Sequence, residues 1–124
     1  MAHFVQELAA IDARITQLVQ SCATITQNIA DLDTLKQAAQ TRLDTVRESF
    51  TNAPAGNQAQ RHAREAIRED LNEARLDLTS ASQQHYTQSN TLREEQRSLD
   101  SARAHRASIL ASPAALLGTA SHNP

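Results

Sequence analysis

The chain has no tryptophan, one tyrosine and two phenylalanines among its 124 residues. So small a supply of large rings argues against a thick globular core and for a long, thin fold in one domain at most. Glycine and proline are almost as scarce: two glycines and three prolines, all within residues 54–56 and 113–124. Nothing elsewhere interrupts a helix, so two unbroken helices are expected.

Cys22 is the single cysteine, which excludes an internal disulfide and suits a reducing compartment. No apolar run approaches the ~18 residues of a membrane span. The start, MAHFVQELAA, has neither the basic region nor the unbroken apolar region of a secretory signal. The expectation is therefore a protein without membrane insertion, cytoplasmic or held within a macromolecular assembly. Charge of one sign is also missing. Twelve basic and 14 acidic residues give a formal net charge of −2, with both signs interspersed. A phosphate-backbone binder needs a continuous basic stripe, so nucleic acid is not an expected partner.

What the chain does have is a period. From Phe4, steps of four and three residues visit Phe4, Leu8, Ile11, Ile15, Leu18, Cys22, Ile25, Ile29, Leu32, Lys36, Ala39, Leu43, Val46 and Phe50. Lys36 alone breaks this apolar seam, with Leu35 beside it as a substitute. A 3.5-residue repeat held this long is that of a coiled coil. TNAPAGN at 51–57 then ends the helix: Pro54 removes a donor, and Gly56 tolerates positive φ. Asn57 and Gln60 have the spacing of a capping box for a second helix.

The second helix carries its own seam through Ile67, Leu71, Ala74, Leu78, Ala81, Leu92, Leu99, Ala102 and Ile109. The predicted fold is all-α: a long antiparallel two-helix coiled-coil hairpin, helix 1 about 3–51, loop 52–57 and helix 2 about 58–111. Its completion to a helical bundle, by self-association or partner subunits, is expected. Residues 112–124 form a tail in which SPAALLG suggests a short helical turn. A loop centred on residue 55 makes facing residue numbers sum to about 110. That register sets Leu43 against Ile67, Ala39 against Leu71, Leu32 against Leu78, Leu18 against Leu92 and Ile11 against Leu99. The hairpin seam is thus read as Leu8, Ile11, Ile15, Leu18, Ile25, Ile29, Leu32 and Leu43 from helix 1, with Ile67, Leu71, Leu78, Leu92 and Leu99 from helix 2.

In this register helix 1 offers more apolar surface than helix 2 covers, because Ile15, Cys22 and Ile25 meet Glu95, Gln88 and His85. Residues 15–30 also carry no charge, and neither do residues 78–92 opposite them. Together these would make a neutral belt about 20 Å tall at 1.5 Å per residue. Charge depletion marks the core of protein interfaces, although a Gln- and Thr-rich solvated face would read the same way. The candidate partner interface is accordingly Leu18, Val19, Cys22, Ile25, Gln84, His85 and Gln88, with Leu116 and Leu117 in the tail.

Chemistry finds little purchase. Cys22 and His85 lie about one layer apart in this register, with His62 and His105 far along the helix, too few for a metal site. Glu94-Glu95 and Glu69-Asp70 are adjacent on a helix and diverge. No Gly-rich phosphate loop, HExxH, GxSxG or CxxC occurs. Arg61, His62, Arg64 and Arg68, with Arg42 and Arg47, load the hairpin tip, where nearby acids neutralise them. Five acid-to-base pairs at i, i+3 (Asp33/Lys36, Asp44/Arg47, Glu65/Arg68, Glu94/Arg97, Asp100/Arg103) would support the helices in water. The expectation is a non-enzymatic structural or assembly subunit with no catalytic residue, cofactor or metal. Its partners would be itself or other subunits of a virion, a secretion apparatus or a multisubunit complex. The alternative is a chaperone or adaptor holding a client helix on the underfilled helix 1 seam.

Overall fold

The computed structural model describes residues 2–112. Two helices, α1 (Ala2–Asn52) and α2 (Gln58–Leu110), make up 94% of the described residues. They pack against each other as an all-α helical hairpin, and there is no strand among those residues. The proposed SPAALLG turn lies outside the described residues, apart from Ser112, whose hydroxyl donates to the Ile109 carbonyl at 2.8 Å.

The capping box starts α2. Gln60 N donates to Asn57 Oδ1 at 2.8 Å, and Asn57 N donates back to Gln60 Oε1 at 3.2 Å. This satisfies two backbone donors that a helix start otherwise leaves unpaired. Gly56 N donates to the same Oε1 at 2.9 Å. Positive φ is not what Gly56 supplies, for its backbone does not adopt it. A Cβ at Gly56 would meet Gln60 Oε1 at 3.2 Å, so the missing side chain makes room for that shared acceptor.

Contacts divide the chain into a loop unit, residues 27–89, and a terminal unit, residues 1–26 with the chain from 90 onward. In the loop unit Leu43, Leu71 and Ala74 form a buried cluster, flanked by Val46, Phe50 and Leu78. Ala74 has no exposed surface and Leu43 only 4%. The Arg64 guanidinium lies over the Phe50 ring, 4.2 Å from its centroid, a cation–π contact that accounts for an Nε without a hydrogen-bond partner. In the terminal unit Leu18, Leu99 and Ala102 form a second cluster, with Ile15 and Cys22 packed on it. Each fully buried Leu contributes about 1.5–3 kcal/mol.

Both clusters correct the register drawn from the loop centre. Leu43 meets Leu71 and Ala74 where Ile67 was expected, and Leu18 meets Leu99 where Leu92 was expected. The displacement is about one heptad, and two causes combine. Helical side chains lean toward their own N-terminus, so antiparallel partners touch after their Cα atoms have passed each other by about two residues. The loop also does not cross straight over: Ala53 and Pro54 line a cleft with Ala63, Arg64 and Ile67, alongside the first turns of α2. Five residues at ~3.3 Å each leave length to spare for such a climb across an ~8–10 Å helix separation.

Leu35 does not replace Lys36 in the seam. Leu35 is 58% exposed, whereas Lys36 is half-buried, as a long side chain with an apolar stem and a charged head can be at a seam position. On α1 the hydroxyls of Thr16, Thr26, Thr34, Thr41, Thr45, Ser49 and Thr51 each donate to the carbonyl four residues earlier, at 2.7–3.2 Å.

Candidate protein interface

The thirteen seam residues are all buried or half-buried. Two of them, Leu18 and Ile25, were also candidates for a partner, and that assignment is corrected. They keep 6% and 8% exposure, and Leu18 packs on Leu99 and Ala102 of α2. Cys22 is half-buried against the Leu18 cluster. Val19, one position off the seam, is 42% exposed.

In the loop unit His85 Nε2 lies 3.0 Å from Asp33 Oδ1, and Asn28 Nδ2 donates to Gln88 Oε1 at 3.5 Å. These contacts shorten the neutral belt. A carboxylate of α1 stands level with the middle of the uncharged run of α2, so the two uncharged runs coincide around Asn28 and Gln88 and part company toward the loop. Gln84 is exposed, donates to Ser80 Oγ at 3.2 Å, and lines a shallow groove with Leu35, Ala38 and Ala81. The Arg42–Asp77 ion pair, at 2.6 Å, closes one end of it. Leu116 and Leu117 lie outside the described residues.

Three of the six basic side chains at the tip are engaged locally. Arg42 also reaches Glu73 at 3.7 Å, Arg68 lies 3.8 Å from Glu65, and Arg64 is engaged with Phe50. Of the five i, i+3 pairs only Glu65/Arg68 closes among the described residues. In the terminal unit Arg106 Nε instead donates to Asp12 Oδ1, 94 positions away. Cross-helix pairs of this kind depend on register, which the heptad pattern alone does not fix.

Sequence reasoning missed three exposed apolar side chains of the loop unit: Leu35, Leu76 at 70% and Tyr86 at 69%. All three stand off the inner seam; the signal that finds Leu76 and Tyr86 is the same 3.5-residue count taken on the outer face of α2, and Leu35 stands beside the seam position Lys36 on α1. Among the described residues no group of three or more His, Cys, Asp or Glu could hold a metal ion, and no helix is long and apolar enough to cross a membrane. No protein-family model matches the chain, and comparison with curated proteins and with solved structures finds no match.

Proposed function

We propose that the chain is a non-enzymatic structural or assembly subunit that acts through helix-to-helix protein contacts with copies of itself or with other subunits. One observation carries this reading. Leu35, Leu76 and Tyr86 stay 58–70% exposed in the loop unit, where α2 runs without formal charge from Leu78 to Ser89. Large apolar side chains beside a charge-depleted surface are what the core of a protein interface requires. The chaperone alternative rests on an underfilled stripe of α1 at Ile15, Leu18, Cys22 and Ile25; with Leu18 and Ile25 buried and Ile15 and Cys22 half-buried, that stripe offers a client helix less open surface than the exposed Leu35, Leu76 and Tyr86 offer a subunit.

Sedimentation velocity of the pure chain across a concentration series, with far-ultraviolet circular dichroism on the same samples, tests the proposal. A discrete oligomer whose fraction rises with concentration is expected. A fully helical monomer at every concentration overturns self-assembly and leaves other subunits as the partners.

A further inference from the structure

Leu35 is 58% exposed on α1, and the residues beside it are small. The groove it lines holds Ala38, Ala39, Ser80 and Ala81 and ends at the Arg42–Asp77 ion pair. Along α1, steps of four, three and four residues from Asp31 visit Leu35, Ala38 and Arg42, and all four side chains are exposed. The order is acid, large apolar, small apolar, base. Turned end for end about the level between residues 36 and 37, this stripe sets acid on base and large on small.

The facing stretch of α2 has the same property at the same height. Asp33 beside His85 and Leu43 on Ala74 put that level at about residue 81 of α2. Asp77 and Gln84, a carboxylate and an amide, lie on either side of it along the groove, with Ser80 between them.

We infer that this groove is a self-complementary surface on which the same groove of a second copy docks, α1 antiparallel to α1, about a twofold axis that crosses α1 between residues 36 and 37. The inference rests on the assembly reading and names its partner and surface. The axis sets Leu35 against Ala38 of the second copy, Asp31 against its Arg42, and Asp77 against its Gln84. Symmetry repeats each pair, which is the property of an isologous interface. Leu35 and Ala38 of both copies meet at the centre, each leucine facing an alanine, and the charged groups lie outside them, the usual anatomy of a protein interface. All of these residues belong to the loop unit, so the contact asks nothing of the terminal unit.

The polar atoms that the pairing needs are at hand. Arg42 gives Nη1 to Asp77 at 2.6 Å, while its Nη2 lies 3.7 Å from Glu73, beyond hydrogen-bond reach. One guanidinium can therefore bridge Asp77 of its own chain and Asp31 of the other, as its five donors allow. Asp31 accepts from Gln27 on Oδ1 at 3.0 Å, which leaves its second oxygen to accept. Gln84 gives one amide hydrogen to Ser80 at 3.2 Å and keeps another. A parallel alignment would set Asp31 on Asp31 and Arg42 on Arg42, so repulsion selects the antiparallel direction.

Directional cross-linking of the full chain tests the seam. In a Cys22→Ser background, a Leu35→Cys chain mixed with an Ala38→Cys chain should give a mixed disulfide dimer on mild oxidation, in excess of either homodimer. The antiparallel alignment brings these two Cα atoms within the ~7 Å that a disulfide needs and leaves the symmetry-related Leu35 and Ala38 pair intact. Asp31→Arg sets arginine against arginine at both ends and should weaken dimerisation by about tenfold or more in sedimentation equilibrium at low salt. Leu35→Gln, at a side chain outside the hairpin core, should weaken the dimer while leaving helicity unchanged. A dimer that withstands both changes, or disulfides of each chain with itself alone, overturns this seam and leaves the assembly reading standing. A chain that stays a folded monomer overturns both the seam and self-assembly.

Discussion

His85 Nε2 and Asp33 Oδ1, 52 positions apart in sequence, lie 3.0 Å from each other across the loop unit. That contact sets the height at which α1 and α2 meet there, and it agrees with the packing of Leu43 on Leu71 and Ala74. Cysteine pairs read this height directly. In a Cys22→Ser background, Leu43→Cys with Ala74→Cys should cross-link on mild oxidation, detected by electrophoretic mobility without reductant. Leu43→Cys with Ile67→Cys should stay reduced, because a disulfide needs Cα atoms within about 7 Å.

Burial separates two leucines that the sequence presents alike. Leu43 is 4% exposed inside the loop-unit cluster. Leu43→Ala should destabilise the hairpin by about 2–4 kcal/mol in urea unfolding. Leu76, 70% exposed, should lose no more than about 0.5 kcal/mol on truncation to Ala under conditions where the chain is monomeric. Equal losses would contradict the packing described.

Replacing the cap weakens the start of α2. Asn57→Ala removes the acceptor of Gln60 N and should cost about 1 kcal/mol, read as a lower urea midpoint with an unchanged slope. Gln60→Glu keeps an oxygen for the Gly56 and Asn57 amides and should be tolerated.

Ala74 has no exposed surface, and a larger side chain there must displace Leu43 or Leu71. Ala74→Leu should cost about 1–3 kcal/mol through overpacking. Ala38→Leu, on an exposed groove position, should be close to neutral by the same measurement.

The ion pair between Arg106 and Asp12 joins the helices of the terminal unit. Both side chains are 40% exposed or more, so water screens the pair. A double-mutant cycle with Asp12→Asn and Arg106→Gln should give a coupling of about 0.2–1 kcal/mol that fades as salt is added.

The hairpin was legible from two signals: a 3.5-residue repeat through α1, and TNAPAGN as the one interior place where proline and glycine gather. The register was not, and the reason is general to heptads. Sliding one helix past the other by seven residues keeps Leu18, Leu43, Leu71 and Leu99 all on the seam and changes only their heights. Hydrophobic pattern is therefore blind to the slip, and the choice falls to loop path and side-chain direction. The same slip explains why Ile25, set against His85 in the loop-centred register, looked available to a partner. Leu76 and Tyr86 were missed for a simpler cause: the count was made along the inner face, and they stand on the outer one.

The hydroxyls of α1 bear on how it could be covered. From Thr16 to Thr51, six threonines and one serine turn their donors back onto the carbonyl one helical turn earlier. A polar group stripped of water is costly when it is left without a partner. These seven groups bring theirs with them, so drying any of them strands no proton of its own and breaks no bond that a neighbour would have to replace. At these seven positions, where lysine or glutamate would have to be stripped of water at a cost, the surface α1 presents to solvent is also one it can surrender.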